Sequence, residues 1–143
     1  MKWATRTECH VDRAACAWLI RKFIDADAEF VFVNDVEDVP PAATAFDIPG
    51  VDLSHHGANC TFETMLERYA LTGQALQDLG RIVHEADLAD ERYDAPEAAG
   101  LDVIIRGMSM LYADAEMLDA TGPLFDGLFE YRLRTNQLGA PPS

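Results

Sequence analysis

The run from Asp12 to Val33, DRAACAWLIRKFIDADAEFVFV, changes its periodicity once, and the place where it changes decides the architecture. Up to Ile24 the apolar residues Cys16, Leu19, Ile20, Phe23 and Ile24 recur at i, i+3, i+4, i+7 and i+8, which lines one stripe of an α-helix. From Glu29 the chain reads EFVFV, an aromatic and β-branched run too short for a helix and suited to a strand. Asp12 stands where an N-cap is expected, and Arg13, Ala17 and Arg21 form a second face of the same helix.

Upstream, WATRT at 3–7 reads as a short strand. Downstream, TAFDI at 44–48 and VDLSH at 51–55 are two further short candidates around Pro49 and Gly50. The loop NDVEDVPPAAT between them and EFVFV carries Pro40 and Pro41, which oppose regular structure. The second half then turns helical. Phe62, Met65, Leu66 and Tyr69 make one stripe, Leu76, Leu79, Val83 and Ala86 another, and Leu101, Ile104, Ile105, Met108, Leu111 and Tyr112 a third. Gly73 separates the first two, and Asp94 with Glu97 resembles a capping box before the third. Gly122-Pro123 predicts a break between helices at 114–121 and 124–135. The expected fold is α+β, a small N-terminal sheet packed on a helical C-terminal half, in one domain over residues 1–135 with a flexible tail at 136–143.

The chain has 143 residues, 49% hydrophobic and 25% charged, which suits one soluble globular domain. Its net charge is −14, unevenly spread: up to residue 23, Lys2, Arg6, Arg13, Arg21 and Lys22 stand against only Glu8 and Asp12. An acidic surface repels phosphate backbones, so direct nucleic-acid binding by this chain is not expected. No apolar run is long enough to span a bilayer and no secretory core follows Met1, so the expected location is the cytoplasm. Three cysteines without a CxxC spacing indicate neither a disulfide framework nor a zinc knuckle. GxGxxG, Walker and GxSxG sequences are absent.

Chemistry must therefore come from clusters. His84 and Asp87, in IVHEAD, share a helix face at i, i+3, and Gly80 one turn earlier leaves that face uncrowded. An imidazole beside a carboxylate suits zinc, iron or manganese. Further ligands would come from SHHGANCTFE at 54–63, with His55 and Glu63 the candidates and Cys60 either a fourth ligand or a half-buried thiol. The structural alternatives are a surface pair at His84 and Asp87 and a Glu63 that complements its helix N-terminus. Near the start, Cys9 precedes a helix N-terminus close to Arg6, His10 and Arg13, where positive potential favours a thiolate, and Arg6 with Arg13 offers an oxyanion cradle. Against this, Arg13 and Arg21 can be solvated or pair with Asp12 and Asp25. Cys16 lies on the apolar stripe as a core residue.

The segments HVDRAACAWLIRKFIDADAEFVFV, FDIPGVDLSHHGANCTFETML, IVHEADLADERYDAPEAAGL and LFDGLFEY together resemble, in order, the domain of chromate-resistance proteins of the ChrB type. The resemblance runs from about Trp3 to Tyr131 and rests on the VDR-A-WLIR-FID and PEAAG runs in combination. It implies a bacterial protein tied to the chromate stress response. Longer relatives join this domain to an extra N-terminal region and regulate chromate-efflux genes, so the expectation here is the free-standing domain. The family's polar positions fall at His10, Asp12, Arg13, Arg21, Asp47, His55, Cys60, Glu63, His84, Asp87 and Glu97. The leading expectation is a domain holding one divalent metal through His55, Glu63, His84 and Asp87. A metal-dependent enzyme with an open coordination position is the second reading. The third is an oxyanion or redox sensor in which chromate or another small oxyanion meets Cys9, Arg6 and Arg13.

Overall fold

The structure is a computed structural model and describes residues 1–138. Strand β1 (Lys2–Arg6) lies at the centre of a three-stranded sheet, parallel on one side to β2 (Glu29–Val33) and on the other to β3 (Thr44–Ala45). Parallel neighbours need a crossover between them, and helix α1 (Val11–Leu19) with its continuation supplies it for β1 and β2. Lys2 pairs with Glu29 and Arg6 with Val33, so EFVFV is a strand over its whole length. TAFDI is a strand only at its first two residues. Phe46 then makes a single bridge to Leu53, and Asp47 turns the chain away with φ at 53°.

Helix α1 is the hub of the molecule, packed by all of the helices that follow it: α2 (Thr61–Arg68), α3 (Gln74–Leu88), α4 (Ala98–Leu111) and α5 (Asp114–Leu138). Every one of its residues except Arg13 is buried. The single stripe expected from the spacing is thus too narrow, because Ala14, Ala15 and Ala17 are small enough for neighbouring helices to close over the other faces. The last turn, Ile20–Ile24, widens to π geometry, with the Asp25 N–H donating to the Ile20 carbonyl at 2.7 Å. Asp25 then accepts the Trp3 indole N–H at 3.0 Å, which ties the helix end to β1.

Three helix boundaries differ from the sequence expectation. Asp12 does not cap its own helix: His10 holds the N-cap position and Asp12 is buried in the first turn, turned toward α2. The capping box forms at α2 rather than before α4, with Glu63 accepting the Cys60 N–H at 3.0 Å, while Glu97 makes no side-chain cap. Helix α5 runs unbroken through Pro123. Met117, Leu118 and Thr121 before the proline and Phe125 after it are all buried, and packing on α1 and α3 holds both halves in one line. Asn136 within this helix donates to Asp78 at 3.1 Å, and residues 139–143 of the expected tail lie outside the described residues.

The α+β architecture is the one expected, with the core between sheet, α1 and the helical layer. Leu79, Val83 and Ile105 are fully buried in it, and Leu101 and Leu128 pack at its edge. Ile105→Val removes one methylene from a closed site and is expected to cost about 1 kcal/mol. Urea unfolding measures it, and no change in midpoint would mean that α4 does not pack through Ile105.

Candidate metal centre

The first turn of α2 leaves backbone N–H groups without helical partners, and a side chain from another helix takes two of them. Asp12 of α1 accepts from Thr61 N–H through Oδ2 and from Phe62 N–H through Oδ1, each at 2.9 Å. Its side chain is almost fully buried. The same Oδ2 lies 3.0 Å from Nε2 of His55, which hangs from the loop before α2. Asp87, on the last turn of α3, places Oδ2 at 3.2 Å from that nitrogen, and Asp47 places Oδ1 at 4.0 Å.

Asp47 is fixed in turn. Thr61 Oγ1 donates to its Oδ1 at 2.6 Å, and Arg13 Nε lies 3.1 Å from its Oδ2. The Arg13 guanidinium also donates to the carbonyls of Thr7, Glu8 and Asp47 itself, at 2.9, 2.9 and 3.1 Å. Three carboxylates and one imidazole from four segments therefore converge on one point. Burial, with Asp12 nearby, pushes the Asp47 carboxyl up to about 7 and the Asp87 carboxyl up to about 6. The hydrogen bond to Asp12, opposed by burial and reinforced by all three carboxylates, lifts His55 to about 9. Arg13 and a protonated His55 are the positive charges that face these three carboxylates.

The spacing fits an ion. Ligands at about 2.1 Å in a tetrahedron stand about 3.4 Å from one another, and the separations from His55 Nε2 bracket that value. Asp12, His55 and Asp87 each offer one ligand atom within 4.8 Å of the other two. On its open side the cluster faces a 430 Å³ recess lined by Arg6, Arg13, Gly50 and Ser54.

His84 and Glu63, expected at the same point, stand apart from it. The first turn of α2 divides the set: its Glu63 reaches His84 Nδ1, while its backbone holds the Asp12 that shares His55 with Asp87. His84 is fully buried and its other nitrogen, Nε2, lies 2.9 and 3.0 Å from the two oxygens of Asp90. Tyr93 donates its hydroxyl to Glu63 Oε2 at 2.9 Å. Burial lowers the His84 pKa, but Glu63 and Asp90 more than reverse it and the net shift is upward. Both ring nitrogens thus face carboxylates within the protein, in a cluster that joins α2, α3 and the loop after α3. Cys60, Glu63 and His84, like His84, Glu85 and Asp90, also place ligand atoms within 4.8 Å of one another. The space left at Gly80 is filled by α2, since a Cβ there would stand 3.3 Å from Leu66 and 3.7 Å from Glu63.

The thiolate expectation fails on burial. Cys9 is fully buried, and desolvation followed by the Asp114 charge pushes its thiol up to about 12. Asp114 also accepts the Glu8 and Cys9 N–H groups, at 2.9 and 3.1 Å, where a bound oxyanion was expected. Cys16 and Cys60 are buried with thiols held well above their ordinary value. Arg13 is spent on Asp47 and three carbonyls, and Arg21 pairs with Asp119 rather than Asp25, while Arg6 lines the recess as an exposed cation. Sequence reasoning did not place Asp12, Asp47 or Asp90 in any cluster. For Asp12 and Asp47 a signal existed, because both are among the family's polar positions.

The family model described as ChrB, C-terminal domain, matches residues 3–132. The chain is 36% identical over 132 residues to Protein ChrB of Cupriavidus metallidurans, which covers 91% of this chain and 40% of the relative. The chain thus spans about two-fifths of the length of the curated relative it matches. No solved structure matches it.

Proposed function

This chain belongs to the ChrB C-terminal-domain family, and from that premise we propose that it is a metal-binding domain of the chromate-resistance class, holding one divalent ion at Asp12, His55 and Asp87. The observation that carries the reading is the convergence of three carboxylates on a single imidazole nitrogen, all within 4.0 Å. Without metal, a proton on His55 answers that charge; with metal, the ion replaces the proton. Asp47, held by Arg13 and Thr61, stands alongside as a further oxygen ligand. A donor set this rich in carboxylate favours manganese or iron(II), with zinc next in order.

Elemental analysis of protein purified without a histidine tag tests this. About one ion per chain is expected in wild type and in His84→Ala, and less than about a tenth of that in His55→Ala or Asp87→Ala. Metal bound equally by His55→Ala would overturn the assignment. Reloading metal-free protein at pH 7 should release between about one and two protons per ion, because His55 carries a proton there that the ion displaces and the Asp47 carboxyl, pushed up to about 7, is about half protonated.

One observation favours a catalytic version of the same site. The recess is lined by His55, Asp87 and Asp47, so an ion held there would be open to water or substrate on that side, the feature that separates catalytic from structural metal sites. The redox-sensor reading is not proposed, since Cys9 is buried with its thiol protonated. With a net charge of −14 the chain is not proposed to contact DNA itself. Among the described residues no helix is long and apolar enough to cross a membrane.

A further inference from the structure

Helix α4 carries two apolar seams where a surface helix has one. Ala98, Leu101, Ile105 and Met108, at i, i+3, i+7 and i+10, pack on the core. Gly100, Val103, Gly107 and Met110 repeat that spacing on the opposite side, with Val103 68% and Met110 83% exposed. Ile104 and Leu111 flank the outer seam, also exposed, and Ile104 leads into an apolar groove against Pro123, Leu124 and Gly127 of α5. A helix apolar on both sides is normally a buried helix. Val103, Ile104, Met110 and Leu111 stand exposed side by side, a contiguous apolar face rather than single scattered residues.

We infer that the outer seam of α4 is the interface of a symmetric homodimer, in which α4 packs antiparallel on the α4 of a second copy. Shape points to a second copy as the occupant. An antiparallel pair centred on residue 105 sets Gly100 opposite Met110 and Val103 opposite Gly107. Each large side chain then meets a notch, and the surface complements itself, as a twofold contact requires. A Cβ added at Gly100 or Gly107 meets nothing within 4 Å, so packing inside the chain does not call for either glycine. Glycine in a helix interior is otherwise unfavourable, and close approach by a partner gives it a use.

Charge points the same way. Two copies at −14 each repel over most of their surfaces. Helix α4 holds only Asp102 and Arg106, paired at 2.9 Å and summing to zero, so the middle of the seam adds no like charge, and the acids Glu97 and Asp114 stand beyond its ends. This inference is independent of the metal site.

Sedimentation equilibrium of the full chain tests it. Wild type at about 50 µM is expected at twice 15.8 kDa. Met110→Glu and Gly107→Leu should each weaken the dimer at least about tenfold. Gly107→Leu is the informative variant, because its side chain enters open space and suits a helix, so the monomer stays folded while the notch is lost. Register is read by cross-linking, since the three native cysteines are fully buried. A mixture of Val103→Cys and Gly107→Cys proteins should cross-link faster with a short bismaleimide than either protein alone. A wild type that stays at 15.8 kDa up to about 0.5 mM, a dimer indifferent to both seam variants, or a monomer that cosediments with neutral vesicles would each overturn the proposal.

Discussion

Asp12→Ala is expected to destabilise the fold by about 3–5 kcal/mol and to abolish metal binding in the same protein. Asp12 is almost fully buried and is the partner of two N–H groups at the start of α2 as well as of His55. Removing it leaves the N–H groups of Thr61 and Phe62, both fully buried residues, without their acceptor and takes away a charged cap acting on a helix N-terminus. Asp12→Asn keeps the shape and one acceptor oxygen, so it should cost less stability while still losing the metal. Urea unfolding of metal-free proteins separates the two effects. An Asp12→Ala loss below about 1 kcal/mol would show that α2 does not depend on this carboxylate.

His84→Ala is expected to cost about 3 kcal/mol near pH 6, and the cost should shrink as the pH rises. The folded-state pKa of His84 is raised, so its ion pairing is fully present below the unfolded value near 6.5 and is lost as pH rises through the folded value. The Asp90 pKa is lowered by its bond to His84 and the Arg92 N–H despite the desolvation that opposes them; its contribution is present above the unfolded value near 3.9 and is lost as pH falls through the folded value. The window of greatest effect is therefore about pH 4 to 6.5. Unfolding midpoints of wild type and variant across that range measure it. A difference independent of pH would mean that His84 acts by packing alone. Retained metal in the same variant separates this cluster from the Asp12–His55–Asp87 site.

Much of the fold was legible because it rests on local patterning. EFVFV is a strand from end to end, Gly73 opens α3, and Leu79, Val83 and Ile105 point into the core as their periodicity required. Local signals misled where distant packing outweighed them. Pro123 breaks nothing because residues on both sides of it, Thr121 and Phe125, are buried, Phe125 against Trp18 of α1, and α5 packs along α1 and α3. Asp94 and Glu97 have the spacing of a capping box, yet the box forms at Cys60 and Glu63.

The candidate site shows the same division more sharply. The residue types were readable: His55, Glu63, His84 and Asp87 do take part in imidazole–carboxylate clusters. Their partition into an open cluster at His55 and Asp87 and a buried one at Glu63 and His84 was not readable, because it depends on where the first turn of α2 wedges against α1 and α3. Cys9 made the same point with charge. Arg6 and Arg13 are near it in sequence, but burial first, and then the charge of Asp114 more than a hundred residues away, outweigh the pull of Arg13 on its sulfur. Sequence by itself determined the α+β class, the strands β1 and β2 and the buried stripe of α3, since each follows from side-chain periodicity within a few residues. VDLSH makes only the Leu53 bridge, and Ile104, Leu111 and Tyr112 of the expected α4 stripe are exposed. Only the tertiary structure decided which carboxylate faces which imidazole, because charge and burial act through space, and Asp12 with Thr61 is separated by 49 residues of chain but by one hydrogen bond.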